Sequence, residues 1–184
     1  MAKFIEKNCP LEGGRTAVEL GAGCGFSACY VTRPHEGCKV IATDMDSVVP
    51  LIARNIARNQ LTDRVTAMPL FWGNLEHLES VKSAAGQSID LVFGADILFD
   101  FDNFDGLFDI FDKLHRQFVP REGQEHQKIF VGYTHRFSDV ERWFREGIEA
   151  KGFNVTKAEP EEFAEGFVPE PFDSMTILKL TRQN

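Results

Sequence analysis

The chain has 184 residues, 43% of them hydrophobic and 26% charged, with a formal charge of −8 at neutral pH. That length and balance give one folded domain, residues 1–184, with a substantial core. The surplus of acid excludes a general nucleic-acid binder, which needs a basic face, and suits a basic partner such as a Lys-bearing protein surface.

No apolar run approaches the ~20 residues that cross a bilayer, and the start, Met1-Ala2-Lys3-Phe4-Ile5-Glu6, lacks the form of a signal peptide. Cys9, Cys24, Cys29 and Cys38 form no C-x-x-C pair, so reduced thiols in the cytosol or nucleus are expected and a zinc site is not. His35, His77, His115, His126 and His135 share no ligand spacing, so no metal is expected.

In chain order, residues 2–8 read as a short helix that Pro10 and Gly13-Gly14 break. Arg15 to Leu20 reads as a strand, and residues 26–32 as a helix. Between them lies Val18-Glu19-Leu20-Gly21-Ala22-Gly23-Cys24-Gly25, an apolar run that ends in three glycines at alternate positions. Glycine there permits a sharp turn, often at positive φ, and lets a ligand lie against bare main chain. The following helix offers its first N–H groups. This is the first strand-to-helix corner of a nucleotide-type site. The dinucleotide fingerprint Gly-x-Gly-x-x-Gly is missed, because position 26 is Phe.

Lys39 to Thr43 is a second strand ending at Asp44. An acid about 20 residues past the glycine loop, at the carboxyl end of the next strand, is placed to accept both ribose hydroxyls. Helix Val48 to Asn59 presents Val48, Leu51, Ile52 and Ile56 on one face. Val65 to Leu70 is a short third strand leading into Phe71-Trp72-Gly73-Asn74, where the Trp either walls an adenine ring or packs as ordinary core. Residues 75–85 are helix or loop, ended by Gly86.

Ile89 to Ala95 is a fourth strand with Asp96 at its end. In a doubly wound sheet, ligands gather outside the carboxyl ends of the central strands. That makes Asp96 a site residue by position; a helix cap or a solvated acid is the plainer alternative. The Asp-rich run from Asp100 to Asp112 fails the calcium-loop pattern, because its fifth position is Phe104 and its sixth Asp105. Phe104, Leu107, Phe108, Phe111 and Leu114 fall at helical spacing instead. Further on, Lys128 to Tyr133 reads as a strand, Val140 to Ala150 as a helix, and Phe153 to Lys157 as a strand. Glu159 to Asp173 reads as an acidic loop with a short helix. Ser174 to Thr181 is a last strand, antiparallel to its neighbours. Strands alternating with helices give an α/β sheet covered on both faces.

Four stretches, Val18 to Gly25, Thr43-Asp44, Leu70 to Gly73 and Gly94-Ala95-Asp96-Ile97-Leu98-Phe99, together resemble the class I, seven-strand S-adenosylmethionine (AdoMet)-dependent methyltransferases. Within them they resemble the lysine methyltransferase 16, or methyltransferase 21-like, group. The resemblance implies a Rossmann-like mixed sheet of order 3-2-1-4-5-7-6. It implies AdoMet as cofactor and methyl transfer to a lysine ε-amine of one protein, such as a chaperone, an AAA ATPase or a translation elongation factor. Carried onto this chain, Gly21, Ala22 and Gly23 lie against the methionine part, with Gly25 closing the loop. Glu19 helps position that part, and Asp44 holds the ribose. Trp72, with Phe71, borders the adenine, and Ala95 touches the cofactor. Asp96 matches the acid of the group's Asp-x-x-Tyr motif and shapes the lysine site.

Two positions depart from the group. Its Tyr is Phe99 here, which keeps an aromatic wall without the hydroxyl; Tyr133 is the candidate replacement. The N-terminal segment carrying a Trp-Pro element is expected to be absent. Open alternatives are a small-molecule N-methyltransferase on the same fold and a non-catalytic AdoMet-binding protein. An NAD-dependent oxidoreductase is disfavoured by position 26.

Overall fold

The computed structural model describes residues 1–99, 101–120, 124, 126–136, 139–166 and 175–183. Seven strands form one sheet: β1 (Thr16–Leu20), β2 (Lys39–Asp44), β3 (Val65–Pro69), β4 (Leu91–Ala95), β5 (Lys128–Thr134), β6 (Phe153–Lys157) and β7 (Met175–Arg182). Their order is β3-β2-β1-β4-β5-β7-β6, as the resemblance implied. β1 to β5 run parallel. β7 enters between β5 and β6, antiparallel to both.

The strand sequences explain the layering. Successive side chains of a strand point to opposite faces. Val18, Leu20 and Val92 join one apolar cluster, while Ala17, Leu91 and Phe93 join the other. The first cluster is closed by α4 (Leu75–Ala85), α5 (Phe104–His115) and α6 (Val140–Ala150). The second is closed by α1 (Ala2–Asn8), α2 (Phe26–Thr32) and α3 (Val49–Arg58). Every residue of β1 is buried, as a strand covered on both faces requires.

Most local expectations hold, with one exception on α3. Residues 75–85, left open between helix and loop, are helix α4, started by the Asn74 side chain, which accepts from the His77 N–H at 3.0 Å. The Asp-rich run is a 3₁₀ turn, Phe101–Asn103, followed by α5, whose Phe104, Leu107, Phe108, Phe111 and Leu114 are buried. On α3, Ile52 and Ile56 are buried, but Leu51 is 38% exposed because it lies one position off that stripe. Within the acidic stretch expected as a loop, Pro160–Glu162 forms a single 3₁₀ turn, and residues 167–173 lie outside the described residues. So does Asp100, where the Asp-rich run was taken to begin. Among the described residues no helix is long and apolar enough to cross a membrane.

Candidate functional site

The site begins where β1 ends. Gly21, Gly23 and Gly25 all have positive φ, at 62°, 56° and 76°, a region costly for other residues. At Gly21 a Cβ would lie 2.7 Å from Cγ2 of Ile97, so any side chain would collide with the segment leaving β4. The parallel pairing of β1 with β2 then fastens this loop to the end of β2. Ala22 N–H donates to Thr43 O at 2.9 Å, and the Thr43 hydroxyl donates to Glu19 O at 2.6 Å. Gly23 N–H donates to one Asp44 carboxylate oxygen at 2.7 Å, and Met45 N–H donates to the other at 2.7 Å. The glycine loop and the carboxylate 21 residues downstream are therefore one hydrogen-bonded unit.

Leu70 N–H donates to Asp44 O at 2.8 Å, which brings Phe71-Trp72-Gly73 beside the same carboxylate. α5 presses on this turn from behind. A Cβ at Gly106 would lie 2.8 Å from the Trp72 carbonyl carbon and 2.9 Å from Gly73 N. Both obstacles are main chain, which cannot rotate away. Gly106→Ala is therefore expected to destabilise the protein by about 1–3 kcal/mol through overpacking, although Ala is the better helix former by about 1 kcal/mol. Urea denaturation monitored by Trp fluorescence measures this; a stabilised variant would mean that the turn does not rest on α5.

On the other side of β1 stands the end of β4. Asp96 has φ 61°, a left-handed conformation that Asp tolerates better than most residues. Its N–H donates to Gly132 O at 2.6 Å, and its side chain turns toward the end of β5. There Arg136 grips it with two bonds, Nη1 to Oδ1 at 2.8 Å and Nη2 to Oδ2 at 2.6 Å, and Thr134 N–H approaches Oδ1 at 3.3 Å. The Arg136 guanidinium holds the Asp96 carboxyl below the usual carboxylate range, against a partial opposing effect of burial.

Between these strand ends opens a cavity of about 400 Å³. It brings together Gly21, Gly23, Asp44, Phe71, Trp72, Asp96 and Phe99. Its mouth is aromatic: Phe71 is 49% and Phe99 57% exposed. The lining also includes Leu70 and Ile97, which lie within the quoted stretches but were given no role, and Met45 and Asn103, which no sequence motif marked. Arg136 was missed too. Its signal was a cation just past the strand that neighbours β4, legible only once strand order is known.

Five expected site residues do not line this cavity. Ala22 is buried, and Ala95 is half-buried in register with Gly132. Gly25 caps α2 and lines a second cavity of about 430 Å³, together with Phe26, Cys29 and Tyr30 of that helix. Tyr133 is 2% exposed, and its hydroxyl donates to the Glu141 carboxylate on α6. Burial and that carboxylate both push its ionisation upward.

Glu19 is the fifth. It is 2% exposed and accepts the Ala28 N–H of α2 at 3.0 Å, so it staples β1 to the helix beneath the loop. Burial pushes its carboxyl up from 4.5 to about 8, opposed by the Ala28 N–H and the Ser27 hydroxyl. Between those values the folded protein keeps a proton that the unfolded chain has lost. The contribution of this group to stability is thus whole below pH 4.5 and declines until about pH 8, at about 1.4 kcal/mol per pH unit. Glu19→Gln is expected to lose that slope and to gain on the wild type as pH rises from 5 to 8. Urea denaturation at several pH values reads the difference; a constant gap between the two proteins would contradict the burial of an acid here.

A nucleoside-type ligand has what it needs in this arrangement: a carboxylate beside a bare glycine main chain, an aromatic wall, and a second charged centre on the far side of β1. The comparisons narrow the class. The family model described as lysine methyltransferase matches residues 4–149. Protein-lysine N-methyltransferase EFM3 of Chaetomium thermophilum is 29% identical over 167 residues, covering 89% of this chain and 47% of that protein. Protein-lysine N-methyltransferase EFM6 of Saccharomyces cerevisiae is 34% identical over 93 residues, covering 46% of this chain and 38% of that protein. The chain thus spans about half the length, or less, of the curated relatives it matches. Among solved structures, an O-methyltransferase from Bacillus cereus in complex with SAH superposes with a TM-score of 0.66 at 17% identity, covering 98% of this chain and 80% of that one. That likeness concerns the fold. The family match, in contrast, runs through the glycine loop, Asp44, Trp72, Asp96 and Arg136, and a match of that extent makes this chain a member of the lysine methyltransferase family.

Proposed function

We propose that this chain, acting as a single methyltransferase domain, binds AdoMet in the cavity between the ends of β2, β1 and β4 and methylates a lysine side chain of a specific protein. The observation that carries the reading is the bond from Gly23 N–H to the Asp44 carboxylate. It sets an acceptor for ribose hydroxyls against a main chain bare enough for close approach. When bound, AdoMet would supply a methyl carbon on a sulfonium, open to attack by an amine nitrogen as the carbon–sulfur bond breaks and the neutral thioether leaves.

The chain's residues have the remaining tasks. Asp44 orients the sugar, and Gly21 and Gly23 offer main chain where a side chain would block. Trp72 and Phe71 supply an apolar wall for the purine. Asp96 faces the acceptor side and orients the amine, and Phe99 forms an aromatic wall at the mouth. Glu19 acts from beneath the loop, by fixing its shape. Alignment of this kind supplies several kcal/mol of a displacement barrier, and the protein contributes no covalent nucleophile.

The acceptor class is inferred from the family and from the protein-lysine relatives. The chain carries 28 acidic against 20 basic residues, which suits a basic, Lys-bearing surface, and the resemblance suggests a chaperone, an AAA ATPase or an elongation factor as its bearer. The test is incubation with cell extract and methyl-labelled AdoMet, beside calorimetry with AdoMet alone. Binding with one labelled protein band is the expected result, and failure to bind AdoMet overturns the reading. A second reading, an AdoMet-binding protein without transfer, is favoured by Phe99 standing where the family's Tyr stands. Binding without any label would select it.

A further inference from the structure

Asp96 is paired with Arg136, a residue to which the proposed chemistry gives no task. The pair is geometrically specific. Each terminal guanidinium nitrogen reaches one carboxylate oxygen, at 2.8 and 2.6 Å, in the fork-to-fork form that gives direction as well as attraction. It also lies at the cavity, because Asp96 is part of the lining. Asp96 stands at φ 61° with its N–H bonded to Gly132 O.

The electrostatic consequence follows from the acceptor's chemistry. A lysine amine attacks only as the neutral base, whereas free lysine is almost wholly ammonium at neutral pH. A lone carboxylate beside the amine would hold it as ammonium and oppose the reaction. The cavity makes this acute, because Asp44 and Asp96 are the only ionisable residues among its described lining, and both are acids. On β5 and its exit, Tyr133 donates to Glu141, which Arg145 and Lys157 also engage. His135 faces Thr176 through Nε2. That leaves Arg136 as the cation that meets Asp96 among the described residues.

We infer that Arg136 is a positioning residue of the acceptor site: by pairing with Asp96 it cancels the carboxylate's charge while leaving its oxygens oriented, so that the acceptor lysine is held as a neutral amine. The inference rests on the methyl-transfer reading. No bond to Arg136 forms or breaks. The proton leaves the ammonium for water before attack, and Arg136 shifts that equilibrium by its charge alone.

The experiment compares wild type, Arg136→Gln and Arg136→Lys. The rate of labelling of the acceptor band in cell extract with labelled AdoMet is followed from pH 6.5 to pH 10, with AdoMet affinity measured alongside by calorimetry. In Arg136→Gln the acid limb of the rate is expected to move upward by about one pH unit, the size that one uncancelled charge several ångströms away gives. AdoMet affinity should stay within about threefold, and Arg136→Lys should bring the limb back. A uniform loss of rate with an unmoved limb overturns the inference and leaves methyl transfer standing. Loss of AdoMet binding in Arg136→Gln also overturns it, by assigning the residue to the cofactor or to the fold. An absence of labelling by the wild type removes the methyl-transfer reading itself, and the inference with it.

Discussion

Asp44→Ala is expected to weaken AdoMet binding at least a hundredfold in calorimetry, with the protein still folded. The carboxylate is the joint of the cofactor side. It accepts the Gly23 and Met45 N–H groups, while Leu70 N–H docks on the same residue's carbonyl. Removing the side chain withdraws the acceptor proposed for the ribose and frees the loop proposed to face the methionine part. Hydrogen bonds to a charged group are worth about 1.5–3 kcal/mol each, so the loss of the two proposed to the ribose corresponds to about a hundredfold to ten-thousandfold in affinity. Asp44→Asn should fall between, since it keeps an acceptor oxygen and loses the charge. A folded Asp44→Ala protein of unchanged affinity would place AdoMet elsewhere.

Asp96→Asn is expected to do the opposite: AdoMet binding within a few fold of wild type, and turnover lower by about a hundredfold or more. The separation of roles follows from strand order. β2, β1 and β4 are consecutive in the sheet, so the ends that carry Asp44 and Asp96 stand two strand spacings apart, about 10 Å, on either side of the glycine loop. Asn is the better substitution because it tolerates the left-handed backbone at this position, which Ala does not. The variant loses the charge that organises Arg136 and presents an amide to the acceptor amine. Labelling rate and calorimetry together decide: if both fall equally, Asp96 belongs to the cofactor side.

Phe99 and the hydroxyl suggested to replace its missing one stand in different places in three dimensions. Phe99 is a true mouth residue, exposed and in the lining. The replacement hydroxyl proposed at Tyr133 is committed to Glu141, which Lys157 at 2.9 Å and Arg145 at 2.8 Å also hold. Tyr133 thus ties β5 to α6 and supports the segment that carries Arg136.

Most of the fold was legible in the sequence, because its signals are local. Alternating apolar residues, glycines that need positive φ, and Pro or Gly at element ends each act within a few residues. Periodicity alone therefore distinguished β1, β2, α3 and α5, and the sequence pointed to Gly21, Gly23 and Asp44, which line the cavity, and to Gly25, which does not. The direction of individual side chains was not legible. Glu19 turns beneath the loop to the Ala28 N–H, Tyr133 turns to α6, and Arg136 crosses 40 residues of sequence to Asp96. Gly106 is needed because a turn more than 30 residues earlier rests against its backbone. Sequence determined the elements and the residues at the strand ends. Tertiary structure decided which of those residues meet, because an ion pair, a buried acid or a steric gap depends on neighbours in space that no local pattern encodes.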